Sequence, residues 1–256
     1  MLAGAPPLPV DSFRMPGPLI EVSALAKSYG AVTAVDSLSF SVAAGEVLGL
    51  VGPNGAGKTT TLRCLCGIIN PTAGSVRVAD HDLRTEGPRA KAQLAFVPDE
   101  PQLFDYLTVD EHLKFVGRLY GVADGPERSR RLLEELELTD KARSLPGELS
   151  RGMKQKLAIA CGLLHRPRAL ILDEPLTGLD PSGIKKMRAT IADRAREGAA
   201  VILSSHLLNL VEELCTRLLV IRKGKCVALG TLPEIVAERP ELAGQSLEDI
   251  FLALTA

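Results

Sequence analysis

Three observations predict an α/β fold interrupted by a helical block. An apolar, β-branched run from Glu46 meets a glycine-rich turn and then an apolar-periodic helix ending near Ile68. A second apolar run, Ala169-Leu170-Ile171-Leu172, ends in two acids, Asp173 and Glu174. Between them, from Leu107 to Leu164, the hydrophobic period is that of helices. On either side of this block, short strand-like runs alternate with helical ones.

Composition narrows the class. The 256 residues are 46% hydrophobic with a formal net charge of -1, enough for one large domain or two small ones around a substantial core. Such balanced charge argues against a phosphate-neutralising surface. With no Trp and 4% aromatic residues, stacking platforms are few, and no nucleic-acid partner is expected. Five cysteines, Cys64, Cys66, Cys161, Cys215 and Cys226, lie in apolar segments, as reduced core thiols of a cytosolic protein do. No apolar run approaches the ~18 residues that span a bilayer. A membrane role would need another chain.

Residues 1–17 are proline-rich and lack a basic stretch followed by an apolar one, so they read as a disordered leader and not a secretion signal. The folded part is expected over 18–256. Leu19 to Leu25 and Ala34 to Val42 alternate with period two, and Gly30 and Gly45 mark turns. Tyr29, expected in the loop between these strands, is an aromatic side chain placed to stack on a purine.

The central stretch is the most informative. Gly52, Gly55, Gly57, Lys58 and Thr59 satisfy the pattern G-x-x-x-x-G-K-[ST], with Asn54 and Ala56 completing the turn. Glycines let backbone N–H groups converge on phosphate oxygens at the positive end of a helix. Lys58 is expected to reach the β- and γ-phosphates, Thr59 to offer its hydroxyl to Mg²⁺, and Thr60 to bind the α-phosphate.

Downstream, Gly74 to Ala79 and Leu94 to Asp99 look like short strands. The helical block follows, roughly 103–166, and its last helix opens with Ser150-Arg151-Gly152-Met153-Lys154-Gln155. Ser150 reads as an N-cap, whereas a glycine so early in a helix needs a further reason. After Asp173-Glu174, Asp180-Pro181 caps another helix. A buried run from Val201 leads to His206, a further helix follows, and two strands plus a terminal helix fill 217–256. That last helix begins with a Ser246-x-x-Asp249 capping pattern.

In this order, the elements resemble the ATP-binding subunit of an ATP-binding cassette transporter, over nearly everything from Leu19 onward. The resemblance implies a P-loop NTPase fold of the ABC ATPase type. Its mixed β core would carry an antiparallel β subdomain and an inserted α-helical subdomain. It also implies ATP and Mg²⁺ as cofactors, with Asp173 holding the metal through its waters and Glu174 polarising the attacking water. His206 looks like the switch histidine that touches the γ-phosphate and positions Glu174. Ser150 and Gly152 resemble a signature loop that binds the γ-phosphate held by an opposite subunit, and Asp180 would act across the same interface. The form Ser-Arg-Gly-Met-Lys-Gln is similar to the branch serving export-type permeases.

One departure stands out: Asp99 occupies the position where the family has Gln, with Gln102 three residues late. A carboxylate accepts only, and repels the γ-phosphate. It is read as touching the metal or its waters and slowing hydrolysis until a partner moves the loop. The expectation is therefore an ATPase that dimerises around two ATP molecules, as homodimer or heterodimer, and powers a separately encoded permease. It would work in the cytoplasm, peripheral on the inner face of the cell membrane. The alternatives are a soluble ATPase of this type acting on ribosomes or DNA, and a nucleotide-gated regulatory subunit with very low turnover.

Overall fold

The structure, a computed structural model, describes residues 17–255; all but the last residue of the expected leader lies outside them. Two sheets form the frame. The first is antiparallel: β1 (Ile20–Tyr29), β2 (Val32–Val42), β4 (Ala73–Val78) and the two-residue β5 (His81–Asp82), in spatial order β2-β1-β4-β5. The second holds β3 (Val47–Val51), β6 (Leu94–Val97), β7 (Ala169–Asp173), β8 (Ala200–Ser204), β9 (Arg217–Arg222) and β10 (Lys225–Gly230), in order β10-β9-β3-β8-β7-β6. Its pairings are parallel except for the β9–β10 hairpin.

The sequence explains this division. β3, β7 and β8 are buried at every position, as continuous apolar runs covered on both faces must be. β1 and β2 instead alternate buried and exposed residues with irregular register shifts. Tyr29 corrects one expectation: it is the last residue of β1, paired with Val32, and not a loop residue.

Helices α1 (Lys58–Leu65) and α2 (Gly87–Ala92) flank β4 and β5 in the chain. Both sheets close on a shared core that includes Leu62 and Leu65 of α1, Ile20 and Val42 of the first sheet, and Ile171 and Ile202 of the second. The opposite face of the parallel strands, through Leu170, Leu172, Val201 and Leu203, packs on a second core. That core also takes in the helical block: α3 (Val109–Leu119), α4 (Gly125–Glu135) and α5 (Arg151–Leu163). α3 opens with a full capping box, Thr108 and Glu111 exchanging hydrogen bonds.

α6 (Pro181–Arg196) covers the same face, and Asp180 accepts from Gly183 N at 3.1 Å in the expected cap. α7 (Leu208–Leu214), α8 (Leu232–Ala237) and α9 (Leu247–Thr255) build a third, smaller core with Val220 and Val51. The predicted cap of α9 is present, Asp249 N donating to Ser246 Oγ at 3.2 Å. The short elements α2, α8 and β5 left no readable period. Cys226 is exposed, so the expectation of five core thiols is corrected at that position.

Candidate functional site

Three strands of the parallel sheet deliver the site at their carboxyl ends. β3 runs into the loop 52–57, β7 ends on Asp173, and β8 ends on Ser204 two residues before His206. In α/β sheets such crevices are where ligands bind. Asn54, Gly55, Ala56, Gly57, Lys58, Thr59, Thr60, Asp99, Asp173, Glu174 and His206 line one cleft of about 450 Å³.

The glycines of the loop have two separate reasons. A Cβ on Gly52 would lie 2.4 Å from Ile221 O of β9, and one on Gly57 would lie 2.3 Å from Ala34 O, at a φ of +104°. Neither position tolerates a side chain, so the turn is pinned between β2 and β9. Gly55, at φ +77°, faces open space. Lys58 folds back over the loop, its Nζ donating to Gly52 O at 2.6 Å and Pro53 O at 3.2 Å. Burial draws the Lys58 amine down, against the raising influence of Glu174 and Asp173.

Asp173 is 5% exposed. Burial pushes its carboxyl up, the Thr59 hydroxyl beside it pulls down, and the charge of Asp99 works against its ionisation. Across the ladder, Ser204 is Asp173's register partner. Its buried Oγ lies beside that carboxylate and, like the Thr59 hydroxyl, draws it down, without the alignment of a regular hydrogen bond.

Glu174 sits at φ +50°, a conformation costly for a non-glycine residue, and is held there by its N–H donating to Ser204 O at 2.9 Å. The bend turns its carboxylate to His206. Burial pushes the Glu174 carboxyl up and His206 opposes it.

Ser150 and Gly152 stand elsewhere, at the start of α5 and outside this cleft's lining. Ser150 caps the helix, accepting from Met153 N at 3.2 Å. The structure supplies the missing reason for Gly152: a Cβ there would meet Gly178 O at 2.7 Å. The start of α5 therefore packs directly on the 178–180 loop. Tyr29, Gly52 and Asp180 are likewise absent from the lining. Tyr29 is half exposed, with the Lys27 ammonium 5.0 Å from its ring centroid.

Gln155 escaped sequence reasoning. It is a 1% exposed amide on α5 whose Nε2 donates to Pro98 O at 3.4 Å, next to Asp99. Flanked by Lys154 and Lys156, it carries no signal in the sequence that sets it apart from an exposed polar stretch.

The chain is similar to known proteins in both sequence and fold. The family model described as ABC transporter matches residues 35–177. The chain belongs to the ABC transporter family. It is 41% identical over 225 residues to "Nod factor export ATP-binding protein I" of Paraburkholderia xenovorans (strain LB400), covering 87% of this chain and 74% of that protein. A solved ATP binding subunit of an ABC transporter superposes with a TM-score of 0.88 at 33% identity, over 93% of this chain and 100% of the other. A dimeric post-hydrolysis structure of the ATP-binding cassette MJ0796, bound to ADP and Pi, shares the fold at a TM-score of 0.77 and 23% identity, over 83% and 98% of the two chains. This ABC protein is thus an ATP-binding subunit whose activity is ATP hydrolysis coupled to transport. Among the described residues, no helix is long and apolar enough to cross a membrane.

Proposed function

We propose that this subunit closes head to tail on a second ATPase chain, the same or a related one, and thereby drives a separately encoded export permease. The observation that carries the reading is the convergence of Lys58, Thr59, Asp173, Glu174 and His206 on one cleft. Backbone N–H groups of the 52–57 loop and the Lys58 ammonium hold the phosphates, Thr60 the α-phosphate, and Tyr29 stacks on the purine.

Thr59, Asp173 and the adjacent Ser204 hydroxyl present an all-oxygen donor set, which fits Mg²⁺. Bound there, Mg²⁺ supplies neutralisation of phosphate charge; Asp99 at the rim is placed to touch it or its waters. Glu174 takes the proton of the attacking water, and His206 fixes the carboxylate and meets the γ-phosphate. Ser150 and Gly152 close over the partner's γ-phosphate, with Asp180 at the same interface. MJ0796 as a dimer, and a relative named for export, support the dimer and the direction.

The permease is placed on the helical block and the loop following β6, at the inner face of the cell membrane. Supporting this, a groove of about 800 Å³ runs from Phe96 past Leu103 and Phe104 to Tyr120. Beside it Phe104 and Phe115 are exposed and pack edge to face at 5.3 Å, and Tyr106 is 92% exposed. The block 103–166 acts in this reading as a subdomain that moves with the permease.

The test is co-purification from detergent-solubilised membranes with a tag on this chain, assaying ATPase activity of complex and free protein. A multi-span partner that raises turnover is expected. Recovery of soluble partners alone, with activity indifferent to membranes, overturns the proposal.

A further inference from the structure

Asp99, which stands where the family has Gln, meets Arg151 of the signature-like loop. Arg151, first residue of α5, reaches back to the loop after β6, its guanidinium donating to Asp99 Oδ1 at 3.2 Å. One helical turn on, at i+4, Gln155 donates to Pro98 O from the same side of α5. The Arg151 stem meanwhile lies across the other loop of the interface: a Cβ on Gly178 would be 3.0 Å from its Cγ and Cδ. One side chain thus joins the Asp99 loop, the start of α5 and the 178–180 loop.

Asp99 also faces the cleft, lining it with Thr59 and Asp173 and acting on the charge of Asp173. Its carboxylate therefore has two competing cations: Arg151 now, and the metal of the bound nucleotide. An exposed pair such as this one, 57% and 46% exposed at its two side chains, is worth at most about 1 kcal/mol. A divalent ion paired with ATP competes with it readily.

We propose that Arg151 is a positioning residue for ATP hydrolysis that withholds Asp99 from the metal and so sets how much Mg²⁺ the nucleotide site needs. The proposal rests on the placement of Mg²⁺ at Thr59 and Asp173. Freed from Arg151, Asp99 adds a full negative charge beside the metal position, which tightens cation binding and weakens metal-free ATP. Movement of either loop at Arg151 alters the same balance, so a partner seated near Asp99 changes metal demand and the 178–180 loop together.

The experiment is a MgCl₂ titration of ATP binding by calorimetry, in the full chain carrying Glu174→Gln so that nothing is hydrolysed. Arg151→Ala is expected to lower the half-saturating Mg²⁺ about fivefold, and Arg151→Lys to stay near the parent value. In an Asp99→Ala background, Arg151→Ala should shift it less than about twofold. An equal shift with and without Asp99, or no shift, overturns the proposal, since a merely structural Arg151 would act independently of Asp99. Asp173→Asn tests the underlying placement: it must raise the half-saturating Mg²⁺. If it does not, the metal reading falls whatever Arg151 does.

Discussion

His206 Nδ1 lies 2.8 Å from Glu174 Oε2, and the backbone N–H of His206 donates to the same oxygen at 3.3 Å. One residue thus fixes one carboxylate oxygen twice. An ionised carboxylate only accepts, so Nδ1 carries the proton and Nε2 is left toward the cleft. Glu174 is itself bent into the left-handed region and tied to Ser204 O, so its free oxygen has a single direction. That geometry suits a base that must meet one water.

Glu174→Gln keeps shape and both His206 contacts but cannot take a proton. Turnover should fall by about 10²–10⁴-fold, with ATP affinity within a few-fold of the parent. ATPase assays alongside nucleotide binding check this. A variant hydrolysing at the parental rate would remove Glu174 from the role of base.

His206→Ala carries a pH signature. Burial raises the Glu174 carboxyl and His206 lowers it, so without the ring only the backbone N–H of residue 206 still opposes burial. A base works only when ionised, and activity falls as pH drops through its pKa. The acid limb of kcat/KM against pH should therefore move to higher pH in His206→Ala, beyond any loss at the plateau. An acid limb that stays in place would separate His206 from Glu174.

Much of this site was legible because its chemistry is local. Gly52 to Thr60 is one contiguous motif, and Asp173-Glu174 sits where a buried apolar run must end at solvent. The meeting of Asp99 with Arg151 was not legible, although Asp99 stands out in the sequence as a departure. They are 52 residues apart in the chain, and only the packing of α5 beneath β6 joins them. Gly152 was flagged as odd, but its reason, Gly178 O, lies in another loop. Tyr29 was misplaced because the end of β1 lacks alternation, its last four residues being half-buried or exposed in sequence. Fold class followed from periodicity; α2 and α8, six residues each, are too short to display one.

Gly152→Ala tests the contact between the start of α5 and the 178–180 loop. Its methyl would sit 2.7 Å from Gly178 O, so the loops must part by several tenths of an ångström. Helix propensity favours Ala by about 1 kcal/mol, which offsets part of the strain. The melting temperature should change little, ATP binding by the isolated chain should persist, and turnover of the assembled complex should drop at least about tenfold. Parallel melting, binding and turnover measurements decide it; unaltered turnover would detach this contact from function.

Besides its apolar face, the helical block is tied to α6 through the carboxylate of Glu135. Glu135 of α4 accepts from Arg194 of α6 at 2.8 and 3.0 Å and from Thr190 at 2.9 Å. Both ion-pair side chains are less than one third exposed, at 24% and 31%, so water screens them less than a surface pair. Glu135→Ala removes three charge-assisted bonds and leaves Arg194 with Glu197 alone. The expected loss is about 1–3 kcal/mol, which in a chain of this size lowers the melting temperature by roughly 2–10 °C. Arg194→Met, in contrast, removes the buried Nε that has no partner together with the charge, and should cost less than Glu135→Ala. The double variant should be close to Arg194→Met alone, because Glu135 has then lost its main partner. A double variant whose losses simply add would mean that the two side chains stabilise the protein through separate contacts, and that the block is held by its apolar face instead.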